Sequence, residues 1–273
     1  MSDNIPRLAR ARIFVGAIRE ACWFCAVELG SGLLCGGRIG GGIFAGMVYT
    51  TSNTPMAAAS KRAGTYEAEL IPVILWAVRA GFDRFINAGA AEGYYSVGFA
   101  RSSPATRVDA FEIDAKMRAL LASNAVRNGV QDRIELHGRA DAASLRAVLA
   151  DTTEPFLLVD IEGGEGDLLD PLEVPALERA WLLVELHPHV RPDVAEILRL
   201  RFAGTHRQFL FEEVDWAHRR RIGERHAPFH WLKFFVLFQA EHRGGNKTPW
   251  LLMQPRTAGR MLDPRAIEHA RAL

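Results

Sequence analysis

The feature that most constrains this chain is a run of small residues set between an apolar stretch and a helix-compatible one, Arg84-Phe-Ile-Asn87-Ala-Gly89-Ala-Ala91-Glu-Gly93-Tyr-Tyr95-Ser96. Phe85 and Ile86 read as a short buried strand, and Tyr94 to Arg101 as a helix. Gly89, Ala90, Ala91 and Gly93 leave almost no side chain at the turn, so a ligand could lie directly against the backbone. The helix that follows begins with free N–H groups and the positive end of its dipole. Such a turn, at the carboxyl end of a first parallel strand, is where open α/β sheets bind nucleotides. A glycine-rich turn that binds nothing is the plain alternative.

The small positions run Gly89-x-Ala91-x-Gly93. A dinucleotide site asks for Gly-x-Gly-x-x-Gly; Gly-x-Gly-x-Gly is the spacing associated with S-adenosylmethionine, and this chain lies closer to it. A branched side chain at Gly89 is therefore expected to obstruct the ligand and leave the fold largely intact. Glu112 ends the next strand, where an acid can accept both ribose hydroxyls of either kind of nucleotide. It reads equally as a surface acid.

From Phe82 onward strands and helices alternate. Arg107 to Glu112 reads as a second strand, Ala115 to about Asn128 as a helix stopped by Gly129, and Arg133 to His137 as a third strand. Asp141 to Leu149 is a helix and Pro155 to Asp160 a fourth strand. Trp181 to Glu185 is a fifth strand, followed by a helix from Arg191 to Ala203. Gln208 to Val214 and Trp250 to Met253 are the sixth and seventh. Unbroken apolar runs such as Phe156 to Val159 suit a parallel sheet covered on both faces. Upstream, Ile5 to about Leu29 has helical spacing, Gly30 to Gly46 suits a hairpin, and Tyr66 to Ala80 suits a helix that Pro72 kinks or delays. An aromatic stripe from Phe229 to Glu241 reads as core or lid packing rather than a cofactor box.

The totals exclude several classes. The 273 residues carry a formal net charge of +1, which argues against a general nucleic-acid or anionic-membrane binder. Cys22, Cys25 and Cys35 do not make a disulfide scaffold, and Cys22-Trp-Phe-Cys25 lacks the preceding strand of a redox motif. Arg19, Glu20 and Glu28 interrupt the N-terminal apolar stretch as a membrane span, and no signal-peptide pattern is present. A cytoplasmic protein is the expectation.

Chemistry concentrates at two strand ends. Val159-Asp160-Ile161-Glu162-Gly163-Gly164-Glu165 delivers three carboxylates from a buried strand, and Glu185-Leu186-His187-Pro188-His189 repeats the theme on the fifth. Acids held together need a cation, a sulfonium or a shared proton. Adjacent strand ends would bring Asp160, Glu185 and His187 into one cleft.

Together, Asn87-Ala-Gly-Ala-Ala-Glu-Gly-Tyr-Tyr95, Glu112-Ile-Asp114, Asn128-Gly129, Asp160-Ile-Glu-Gly-Gly-Glu165 and Val184-Glu-Leu-His187 resemble the FkbM-type methyltransferases of the class I S-adenosylmethionine-dependent superfamily. The resemblance covers about Tyr66 to Pro255. It implies an α/β, Rossmann-like seven-stranded methyltransferase sheet with its last strand antiparallel and helices on both faces. It also implies transfer to a hydroxyl of a small molecule. Asn87 stands where the family usually has Asp, and the first 60 residues lie outside the shared motifs.

The resulting expectation is a methyltransferase domain over 63–273 with an N-terminal extension, helix plus hairpin, over 1–62. The turn Asn87, Gly89, Ala91, Glu92, Gly93, Tyr94 and Tyr95 would hold the methionine end of the cofactor, Glu112 the ribose, and Asp141 with Ile113 the adenine. Asp141 reads equally as an N-cap. Tyr66 and Glu67, on the helix before the first strand, either close the pocket or form an ordinary helix start with a solvated acid. Asp160, Glu185 and His187 are the catalytic candidates. His187 or Asp160 would act as a base, or Asp160 and Glu185 would hold magnesium. The partners expected are a small-molecule acceptor and, open from sequence, further copies of the chain; nucleic acid and membrane are not expected. The other readings are an NAD-dependent oxidoreductase and a non-catalytic S-adenosylmethionine-binding subunit.

Overall fold

Three strands carry apolar residues at nearly every position, so each must be covered on both faces. They are β1 (Arg84–Ala88), β4 (Phe156–Val159) and β5 (Trp181–Glu185), all but their first residue at Arg84 buried. In the computed structural model, which describes residues 36–51, 55–212, 248–268 and 270–273, they form the middle of one sheet. The remaining strands are β2 (Arg107–Phe111), β3 (Ile134–His137), β6 (His206–Phe211), β7 (Trp250–Pro255) and β8 (Arg271–Ala272). Their order is β3-β2-β1-β4-β5-β7-β6-β8. Strands β1 to β5 pair in parallel, while β7 runs antiparallel to both β5 and β6.

The first seven strands are those expected, and the sheet is Rossmann-like α/β. The eighth was not expected: β8 pairs antiparallel with β6 through Phe209 and Leu210. Two residues, one of them Arg271, give no periodic signal, yet they cover the outer edge of β6.

The period of two along each strand divides the interior into two cores. Phe85, Phe156, Leu158, Trp181 and Leu183 join one cluster, and Ile86, Leu157, Val159, Leu182 and Val184 the other. On the first face pack α2 (Ile71–Ala80), α3 (Tyr94–Ser102) and α4 (Ala115–Arg127), through Ile74, Val97 and Leu121 among others. On the second pack α5 (Ala142–Leu149) and α7 (Val194–Phe202), through Leu145 and Leu198. Helix α1 is Pro55–Ala63, and α6 is the single turn Glu165–Leu168. Pro72 delays α2 rather than kinking it: a 3₁₀ turn at Ala68–Leu70 comes first and the proline sits in the opening turn of the helix.

Residues 36–51 form a loop closed by one antiparallel bridge, Arg38 to Val48. Its Ile39, Phe44, Met47 and Tyr49 belong to the first core. Helix α4 grips it through two amides: Asn124 Oδ1 accepts from Thr50 N and its Nδ2 donates to Thr50 O, while Asn128 does the same with Val48 N and O. The helix expected over Ile5–Leu29, the three cysteines and the aromatic stripe Phe229–Glu241 lie outside the described residues. Among the described residues, no helix is long and apolar enough to cross a membrane.

Candidate functional site

The carboxyl end of β1 meets those of β2 and β4 at the small-residue turn. Gly89 N and Ala90 N both donate to Phe111 O at 2.9 Å, and Asp160 N donates to Ala88 O at 2.9 Å. Gly89 has φ +87, and a Cβ built on it would lie 1.6 Å from the carbonyl oxygen of Asp160. The glycine is therefore required by the neighbouring strand. The expectation that a branched residue there would leave the fold intact is overturned, because the space it would enter is occupied by backbone.

Glu112 closes the turn from the β2 side. Its Oε2 accepts from Ala91 N at 2.7 Å and its Oε1 from Asp114 N at 2.8 Å. A carboxylate has about four acceptor positions, so both oxygens keep capacity for a ligand. Ala91 is held at φ +45, one of three non-glycine residues in the left-handed region among the described residues, with Glu67 and Glu162. Such conformations cost about 1–3 kcal/mol each and persist only if the surroundings impose them; of the three, Glu162 lines the cavity beside this turn.

A cavity of about 520 Å³ opens here, lined among others by Gly89, Glu112, Ile113, Asp141, Asp160 and Glu162. Ile113 is exposed beside it, leaving an apolar side chain that could cover a ring. Asp141 is the N-cap that one of its two readings gave, at a position that also borders the cavity. It caps α5, its Oδ1 accepting from Ser144 N at 2.8 Å, and that hydrogen bond holds its pKa below the usual value.

Other members of the turn face elsewhere. Glu92 is fully buried and accepts from Tyr49 Oη, from Thr51 Oγ1 at 2.8 Å and from Lys61 Nζ at 2.9 Å. Burial raises its pKa, but Lys61 and Tyr49 outweigh burial and the net shift is downward. Glu92 is a buried anchor for the N-terminal segment and does not line the cavity, held by Tyr49, Thr51 and Lys61, all distant in sequence. Tyr94 likewise turns into an aromatic cluster with Phe44, Tyr49 and Tyr66, at centroid distances of 5.3, 5.8 and 5.4 Å. Gly93, at φ +90, faces Leu121, whose Cγ would lie 2.6 Å from a Cβ. Asn87 donates from Nδ2 to Ser96 Oγ at 3.0 Å, and its buried Oδ1 has no hydrogen-bond partner.

Tyr66 and Glu67 precede α2 in a turn rather than lying on the helix, because Glu67 takes φ +45. Nor is Glu67 solvated: it is buried and accepts from Tyr95 Oη at 2.5 Å. Its charge adds to the rise in the Asp160 pKa.

The register of β4 on β5 pairs Val159 with Val184, so Asp160 and Glu185 emerge side by side. Burial pushes the Asp160 carboxyl well above the usual carboxylate range, with Glu185 and Glu67 adding to the rise and a hydrogen bond to Glu185 joining the pair. Two acids in hydrogen-bond contact hold a proton between them.

His187 stands against the same acids, itself buried. Its Nδ1 donates to Glu165 Oε1 at 2.8 Å, and its Nε2 lies 3.3 Å from Glu162 Oε2 and 3.6 Å from Asp160 Oδ1. Burial disfavours charge on the imidazole, but Glu165 and Glu185 overcome it and raise the pKa. Glu165, also buried, is brought down in turn by His187 and by Gly163 N, which donates to its Oε1 at 2.9 Å. The cleft thus gathers Asp160, Glu185 and His187 as expected, and adds Glu162 and Glu165. The spacing Asp160-Ile-Glu-Gly-Gly-Glu165 held both acids, but nothing in it says which nitrogen of the histidine each one meets.

No protein-family model matches the chain, and no curated protein matches it. Solved structures similar to it include an O-methyltransferase from Bacillus cereus in complex with SAH, at 16% identity and a TM-score of 0.45, covering 68% of this chain and 79% of that one. The O-methyltransferase TomG from Streptomyces achromogenes, involved in tomaymycin synthesis and in complex with SAM, is similar at 17% identity and a TM-score of 0.45, covering 69% and 79%. Cofactor-bound Rv0187 from MTB is similar at 18% identity and a TM-score of 0.45, covering 75% and 91%.

Proposed function

We propose that the chain is an S-adenosylmethionine-dependent methyltransferase, of the FkbM type its motifs resemble, acting on a hydroxyl of a small molecule. One observation carries this reading. A single cavity of about 520 Å³ is lined by Gly89, Glu112, Ile113, Asp141, Asp160 and Glu162 together, and His187 stands against the last two acids. The donor set fits the cofactor: an acid for the ribose hydroxyls, an apolar side chain and a second acid for the adenine, and the buried, unpartnered Oδ1 of Asn87 near the turn for an ammonium donor. Carboxylates left facing one another suit a cationic ligand beside them.

Bound there, the cofactor supplies an electrophilic methyl group on a sulfonium. The residues of the chain do the rest. Displacement at a methyl carbon depends on in-line placement, so rigid strand ends holding both reactants supply much of the rate. The Glu165–His187 hydrogen bond fixes the imidazole with its proton on Nδ1. Nε2 is left turned toward Asp160 and Glu162, at 3.6 and 3.3 Å.

Isothermal titration with S-adenosylmethionine, its demethylated product and NAD tests the reading. Micromolar-scale binding of the first two and none of NAD is expected. Binding of NAD alone would turn the assignment to an oxidoreductase. Cofactor binding without turnover on any hydroxylated acceptor would favour a non-catalytic subunit.

A further inference from the structure

We propose that Asp160 Oδ1, Glu162 Oε2 and His187 Nε2 form a binding site for one first-row divalent cation of the manganese-to-zinc series. Each residue offers a ligand atom within 4.8 Å of the other two, with Nε2 at 3.3 Å from the Glu162 oxygen and 3.6 Å from the Asp160 oxygen. Metal–ligand bonds of 2.0–2.1 Å in tetrahedral geometry place ligand atoms about 3.3 Å apart, so two of the spacings are already close to those of a filled site.

Two further observations distinguish this from a chance gathering of acids. Asp160 Oδ1 is buried and has no hydrogen-bond partner, a costly state that coordination would relieve. His187 is oriented from behind by Glu165, whose side chain is 0% exposed, through Nδ1. A carboxylate behind a ligating histidine fixes the tautomer and strengthens the other nitrogen as a donor. Glu162 supplies the adaptable third ligand: its side chain is 81% exposed and can swing the last few tenths of an ångström.

The chemistry of the donors selects the metal. An imidazole among carboxylates favours manganese, iron, cobalt or zinc over magnesium, which prefers oxygen alone. The ligand set also differs from the Asp160–Glu185 pair expected from the sequence, because Glu185 is engaged with Asp160. Three protein ligands leave positions open on the cavity side, as in catalytic rather than structural sites. A cation there would take the acceptor's hydroxyl oxygen and ease loss of its proton to solvent. That service rests on the methyltransferase reading; binding of the metal does not.

The test is titration of chelator-treated full-length protein with cobalt(II), read by its visible absorption. One Co²⁺ per chain is expected, displaced by zinc. Glu162→Gln, at an exposed position that leaves folding undisturbed, should weaken binding, and His187→Ala should abolish the spectrum. Glu165→Gln should weaken binding by about 10- to 100-fold while retaining the spectrum, the signature of a residue acting through the histidine. Absence of binding to the parent, or equal binding to the parent, Glu162→Gln and His187→Ala, would overturn the proposal. S-adenosylmethionine binding is measured on the same metal-free protein. Its loss with Co²⁺ binding intact would remove the methyltransferase reading and keep the metal site, and the converse would remove the metal site alone.

Discussion

Gly89 and Asp160 meet backbone to backbone: the space a Cβ would need on the glycine is filled by the aspartate's carbonyl oxygen, 1.6 Å away. The turn that borders the cavity is therefore also the seam between β1 and β4. Gly89→Ala is expected to lower unfolding free energy by about 2–4 kcal/mol, from the strained φ and the displaced strand end together. Denaturant melts check this, and a midpoint equal to the parent's would show that the seam yields.

Glu112 is expected to matter to ligand and fold unequally. Glu112→Ala removes an acceptor for two backbone N–H groups and for the ribose. Hydrogen bonds to a charged group contribute about 1.5–3 kcal/mol, so S-adenosylmethionine affinity should fall about 10- to 100-fold. Calorimetry on the folded variant measures it, and an unchanged Kd would place the ribose elsewhere.

The Lys61–Glu92 pair, with side chains 5% and 0% exposed, should show the opposite pattern. Lys61→Met leaves a carboxylate buried without its cation, a loss of about 3–5 kcal/mol. Because Glu92 faces the N-terminal segment rather than the cavity, cofactor affinity below the melting range should match the parent's. A selective loss of affinity with stability intact would return Glu92 to the ligand site.

His206 sets an acid limit on stability. It is buried, with Nε2 donating to Ala180 O at 2.9 Å and Nδ1 accepting from Thr205 Oγ1 at 2.8 Å, and burial lowers its pKa to about 4. Above the unfolded value near 6.5 both states are neutral and the group has no effect. Between about 6.5 and 4 only the unfolded chain takes the proton, so stability falls with pH, by roughly 3 kcal/mol across the window. His206→Gln should start less stable at neutral pH but lose less on acidification. Parallel curves for the two proteins would exclude His206 as the cause.

Much of this was legible in the sequence, for identifiable reasons. Runs such as Phe156 to Val159 lack alternation, and a strand with no polar face can only lie in the middle of a covered sheet. Asp141 was readable as both cap and cavity acid because the two roles need the same strand-end position. What escaped depended on partners far along the chain. Glu92 looks like a loop acid until Lys61 and Tyr49 fold over it. The nitrogen of His187 that meets Glu165, rather than Glu162, is settled by the left-handed turns at Glu162 and Gly163, which no periodicity signals. Gly89 invited a ligand-centred explanation because the strand that needs it comes some 70 residues later.

The grip of Asn124 and Asn128 on residues 48–50 has a consequence for heredity. Phe44 rests on Gly98, where a Cβ would come within 2.6 Å of its ring, and Tyr49 shares Glu92 with Lys61. The stretch before the sheet and the turn that begins it are thus halves of one joint. Neither half can be exchanged for a cousin's without its mate, and a fragment beginning at residue 64 would carry the socket without the plug.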